Sequence, residues 1–166
     1  MTFIRGTPMK NQFARTLFSS TGGYAALVLR VPVGLILAAH GAQKLFGWFG
    51  GYGLEGTGQW LASIGMEPGY LMALLAGGAE FFGGLALVLG LLTRPAALVS
   101  AFTMLVAIFA VHIDNGLFMS NNGYEYALTL FAATLALAVQ GAGRFALDKV
   151  LLERFGGAGN GLRTDA

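Results

Sequence analysis

Six reactive side chains sit inside or at the edges of long apolar runs: Arg30, His40, Lys44, Glu80, His112 and Glu125. His40, Lys44, His112 and Glu125 fall toward the outer ends of their runs, and these two imidazoles, an ammonium and a carboxylate at similar depth can hold a quinone headgroup, with His or Lys donating to a ring carbonyl while a carboxylate moves the proton. In that chemistry Glu80 and His40 are the candidates for the proton-exchanging catalytic step. Arg30, His40, Lys44, His112 and Glu125 are the candidates for binding the cofactor. The two histidines offer a haem its axial ligands as a second option, or a metal site with Glu125 as a third. Neither option has a specific spacing, so haem ranks behind quinone and no metal set is assigned. Each functional reading has a plainer counterpart. Arg30 and Glu80 could be an ion pair that only fixes helix packing, and the other four could be helix-end groups wetted by the interface.

The elements that must carry these residues follow from composition. The chain has 166 residues, 55% hydrophobic and only 11% charged, where a soluble domain runs near a quarter charged. Mean hydropathy is +0.67. The formal charge of +2 and the apolar surroundings of the cations exclude a nucleic-acid surface. With no cysteine, disulfides, thiolate metal sites and iron–sulfur clusters are excluded too, so any redox role needs a bound cofactor. A lipid bilayer is the expected surrounding.

Four apolar stretches read as spanning helices, over about 24–46, 70–92, 95–113 and 124–140. Each is near the ~20 residues a helix needs to cross ~30 Å of hydrocarbon. The fold expected is therefore all-α, a four-helix transmembrane bundle at residues 24–148. Residues 1–23 form a cytoplasmic flank and 149–166 a flexible cytoplasmic tail. Between the first two spans, Gln59 to Ile64, bounded by Gly58, Gly65 and Pro68, reads as a short interfacial helix with Trp60 at headgroup level. A cleaved signal peptide in place of the first span is opposed by Arg30 and Pro32 inside its apolar core.

Lys and Arg orient the bundle. Arg5, Lys10, Arg15, Arg94, Arg144, Lys149, Arg154 and Arg163 fall on one side, and the opposite side holds Lys44 with Glu55, Glu67 and Asp114. Both termini are expected in the cytoplasm, and the protein in the inner membrane.

The spans tolerate their charges. In the second, about eleven large apolar residues at roughly −0.4 kcal/mol each outweigh one acid at about +2.5 to +3.5 kcal/mol. A charge shielded from lipid faces the bundle interior or a wet cavity. At 100° per residue, Arg30, Leu37 and Lys44 share one stripe of the first span, and His40 lies a turn from Lys44. On the second span Ala73, Gly77, Glu80 and Gly84 share a stripe of small residues where another helix can approach closely. By helical rise Arg30 lies roughly 9 Å to the cytoplasmic side of Glu80, and His40 roughly 6 Å to the other, so either could reach it.

Arg30, the run HGAQK (His40 to Lys44), GGAEFFGGLALVLGLLTRPAAL (Gly77 to Leu98), His112 and GYEYALTL (Gly123 to Leu130) occur in an order that resembles the DoxX family of small membrane proteins. The likeness runs from about Leu27 to Asp148. It implies a four-helix inner-membrane bundle and a redox setting. Some relatives are the small subunit of a thiosulfate:quinone oxidoreductase, and others are partners in membrane oxidoreductase complexes. The family pattern falls on Arg30, His40, Lys44, Glu80, His112 and Glu125. The long N-terminal flank and the Gly-rich stretch at 156–161 lie outside it.

The function expected is a quinone-interacting or accessory subunit of a membrane oxidoreductase complex, with other redox subunits as partners. The alternatives are a structural membrane partner without catalysis and a small transporter or proton pathway that uses Glu80 and His40.

Overall fold

The computed structural model describes residues 9–155. Among them there are seven α-helices and no strand: α1 (Met9–Phe18), α2 (Gly23–Phe46), α3 (Gly53–Ser63), α4 (Gly69–Leu89), α5 (Thr93–Ala107), α6 (Glu125–Gln140) and α7 (Leu147–Phe155). Arg5, Arg163, the side chain of Lys10 and the Gly-rich stretch at 156–161 lie outside the described residues.

Among the described residues three helices are long and apolar enough to cross a membrane: α2, α4, and α5 together with the turns that prolong it to Asn115. α6 is apolar but has only 16 residues, about 24 Å of rise. The second span stops at Leu89 because Gly90 adopts the left-handed conformation that ends helices (φ 64°). The helix of the first loop begins at Gly53, six residues before the expected start. Helical structure also enters both flanks, as α1 and α7, and the latter reaches Phe155 where a flexible tail from 149 was expected. Asp148 accounts for that order: it is 2% exposed and ties α7 to the start of α5.

α2 and α4 share the most extensive contact of the bundle, along the stripe of small residues. A Cβ at Gly34 would stand 2.6 Å from the Gly84 carbonyl oxygen, and one at Gly84 would stand 2.5 Å from the Ala38 nitrogen. Neither space admits a methyl group, so the two backbones touch directly, a contact small residues permit in membrane helices. Ala73, Gly77, Glu80 and Gly84 are all buried there. α5 and α6 form the second close pair, and α3 lies against α4.

One end of the bundle is closed by arginines that donate to helix C-termini. Arg30, 1% exposed, gives all five of its N–H groups to backbone carbonyls. Nε donates to Ala142 (2.9 Å), Nη1 to Leu87 (3.0 Å) and Val88, and Nη2 to Arg144 (3.2 Å) and Phe145 (2.7 Å). Leu87 and Val88 lie in the last turn of α4, where carbonyls lack the regular intrahelical donor; Leu87 accepts in addition from the Gly90 amide (3.1 Å). Arg94 does the same for α6 through Ala138 (2.8 Å) and Val139 (2.7 Å), and reaches Ser19 after α1 (3.3 Å). Asp148 complements them by accepting from the amides of Leu92 (2.6 Å) and Thr93 (2.9 Å) at the start of α5.

Candidate functional site

At the other end of the bundle α2 brings His40 and Lys44 one turn apart, and the Lys44 ammonium donates to the Glu80 carboxylate on α4. The glycines and alanines of the α2–α4 seam place them within reach. Glu80 is 3% exposed, whereas the Lys44 side chain keeps 27%. The carboxylate is thus the deep member of the pair, and the ammonium reaches in from the rim on a flexible stem.

His112 arrives by a different device. α5 gives way at Ile108 to one π-helical turn, Ile108–His112, followed by a tight turn at Ile113–Asn115. Such a turn accommodates an extra residue and re-aims the side chains beyond it, a feature frequent at functional sites. The Nδ1 of His112 stands 2.8 Å from the Asn122 carbonyl oxygen. A carbonyl can only accept, so Nδ1 carries the proton, and in the neutral ring Nε2 is left as an acceptor. Asn115 donates to the same carbonyl (3.3 Å) and to that of Val111 (3.1 Å), bracing the turn.

His40, Lys44, Glu80 and His112, with Tyr126 from α6, line a cavity of about 110 Å³ whose floor is Leu37, Met104 and Leu130. The Tyr126 ring lies 5.9 Å from the His40 ring, tilted by 55°. The set therefore holds two imidazoles, an ammonium, a carboxylate and a phenol around a small apolar hollow. It can donate and accept hydrogen bonds at one edge of a ligand and exchange a proton with it.

Four of the six residues singled out from the sequence converge here, and two do not. Arg30 belongs to the opposite end, and its donors are spent on backbone carbonyls. The expected Arg30–Glu80 pair is replaced by Lys44–Glu80, since the lysine stem reaches inward while the guanidinium finds five acceptors nearer its own Cα. Glu125 is not among the residues lining the cavity. Its Oε1 accepts from the Met119 amide (2.7 Å) and so holds the loop that delivers Asn122 to His112. Tyr126 was missed, although it is the next residue in the run GYEYALTL. Adjacent helical residues point about 100° apart, so a cavity lined by Tyr126 is turned away from Glu125.

A family model described as DoxX matches residues 25–113. The chain is 36% identical over 122 residues, 74% of its length and 83% of the relative's, to a Bacillus subtilis (strain 168) protein named "Putative oxidoreductase CatD". It is 35% identical over 135 residues, 78% of its length and 93% of the relative's, to the Escherichia coli (strain K12) "Inner membrane protein YqjF". With "Inner membrane protein YphA" of the same organism it shares 30% over 128 residues, 74% of its length and 87% of the relative's. No solved structure gives a significant match. The family model, the inner-membrane relatives and the long apolar helices agree: the chain is a multi-pass protein of the inner membrane and belongs to the DoxX family.

Proposed function

We propose that the protein is a four-span bundle with both termini in the cytoplasm, and that its Lys44-end cavity receives the carbonyl edge of a quinone as part of a membrane oxidoreductase complex. An even number of crossings is supported by α1 packing against α7, since that contact needs both ends of the chain on one side. The cationic residues Arg15, Arg94, Arg144, Lys149 and Arg154 gather at that end, as the positive-inside rule asks of a cytoplasmic face. α6, at 16 residues, is then a short fourth span. Its C-terminal carbonyls are bonded by Arg94 and need not reach water.

The observation that carries the quinone reading is the cavity ringed by His40, Lys44, Glu80, His112 and Tyr126. A quinone has two carbonyl oxygens that accept hydrogen bonds, and it takes up two protons with two electrons. Lys44, His40 and Tyr126 supply donors for one carbonyl, and Glu80 is the group that exchanges the proton. With its proton fixed on Nδ1, His112 offers Nε2 to a ring hydroxyl. At about 110 Å³ the hollow is smaller than the ~150 Å³ that encloses a benzene ring, so one edge of the headgroup enters and the rest lies toward lipid. The same size leaves no room for a porphyrin between the histidines. The name of the Bacillus subtilis relative favours a redox setting over transport.

The test is purification from native membranes in mild detergent, followed by solvent extraction and quantitation of quinone. Retention near one quinone per chain, lost in a Lys44→Met/Glu80→Gln double variant, is expected. Equal retention by the variant, or none by the wild type, overturns the assignment. The closed Lys44–Glu80 pair favours a second reading, in which it only fastens α2 to α4 and the protein docks a catalytic subunit. Quinone-free protein with a stoichiometric partner would establish that instead.

A further inference from the structure

We propose that the cleft between the end of α2, the turn at 48–51 and α3 binds a small organic anion with a flat apolar body, such as an aromatic carboxylate, with Lys44 as counter-charge. The cleft measures about 720 Å³, within the ~300–1,000 Å³ typical of small-molecule sites. Its walls include Gln43, Lys44, Tyr52, Thr57, Gln59 and Trp60, with glycines between, and no acidic residue. Every polar side chain among them can donate a hydrogen bond, and one is a cation. Thr57, only 6% exposed, is the buried polar residue of the wall. The rings of Tyr52 and Trp60 remain substantially exposed and supply flat apolar surface.

The cleft is preformed. Gln43 donates to the Phe49 carbonyl (3.3 Å), and Gly51 is seated so closely on α2 that an added Cβ would stand 2.5 Å from the Gln43 Cα. The far side of α3 makes the contrast: the cleft there is lined by Glu55 and Glu67 and would repel an anion. Lys44 is a common wall of the donor-rich cleft and of the His40 cavity. A bound anion and Glu80 therefore compete for one ammonium, and removing the Glu80 charge strengthens binding.

The only two tryptophans are Trp48 and Trp60, so a Trp48→Phe protein reports on the cleft through Trp60 alone. Benzoate titrated into that protein in detergent should quench its fluorescence saturably, and benzamide, of the same shape but uncharged, should bind at least tenfold more weakly. Glu80→Gln should tighten benzoate binding several-fold. The Lys44→Met/Glu80→Gln double variant leaves no orphaned charge to compromise folding and should lose tenfold or more. Absence of saturable quenching, benzamide binding as well as benzoate, or an unchanged affinity in the double variant overturns the proposal. Because the probe is not a quinone, failure here is distinct from failure of the quinone reading.

Discussion

The two ends of the bundle handle buried charge in opposite ways. At the Arg30 end all five N–H groups of the Arg30 guanidinium are spent on backbone carbonyls, and the nearby acid, Asp148, is spent on backbone amides. At the Lys44 end one ion pair closes on itself beside a hollow, and the neighbouring His40, His112 and Tyr126 keep hydrogen-bonding capacity in reserve. A charge saturated by main-chain groups is a fastening, because any movement would orphan several polar groups at once. A charge whose partner is another side chain beside free volume can change partners at little cost. Polarity within a span therefore marks function only when its hydrogen bonds are unspent.

Substitutions can break or sharpen this contrast. Arg30→Met should have the largest effect: five carbonyls lose the guanidinium, only that of Leu87 keeping another donor among the described residues, the Gly90 amide, and unfolding in detergent should be easier by at least about 3 kcal/mol, read as a fall in the thermal midpoint by circular dichroism. A wild-type midpoint would erase the distinction between the ends. Lys44→Met leaves Glu80 buried and unpaired and should cost about 3 kcal/mol. Adding Glu80→Gln should restore the midpoint to within about 1 kcal/mol without restoring quinone retention. If the double variant stays as unstable as the single one, the Lys44 end is a fastening too. Asp148→Ala uncaps two amides of α5 and should lose about 2 kcal/mol by the same assay, with quinone retention unchanged. Tyr126→Phe keeps the ring beside His40 and removes one neutral hydrogen bond, worth about 1 kcal/mol; quinone retention should weaken about fivefold with no shift in melting. Loss of stability there would make the phenol structural.

The contrast also explains what could be read from the chain beforehand. Long apolar runs and the Gly77–Glu80–Gly84 stripe were legible because hydropathy and helical period act over many residues. That polar groups gather away from lipid followed from the expense of placing them there, but the set expected at one depth was His40, Lys44, His112 and Glu125, with Glu80 set against Arg30 or His40. Arg30 was assigned an acidic partner because a carboxylate is visible as a letter, whereas the carbonyls of Leu87 or Ala142 belong to any residue and leave no trace in a sequence. Depth along the axis was weighed for Arg30 and His40 alone, so Lys44, a turn farther out with a stem that folds inward, was not set beside Glu80. Asp148 looked like the edge of a tail because its acceptors' partners lie 55 residues or more away. Tyr126 was passed over for the more reactive Glu125 beside it, although period alone separates their faces.

The π-helical turn at Ile108–His112 makes one imidazole depend on counting. Deleting a single residue between Phe109 and Val111 would let α5 run on in ordinary α geometry, and everything beyond the deletion would swing by about 100°. The ring would survive chemically intact yet look out at acyl chains, parted from the Asn122 carbonyl that sets its tautomer. For this histidine, then, being the right amino acid is not enough; the helix must also be one residue too long.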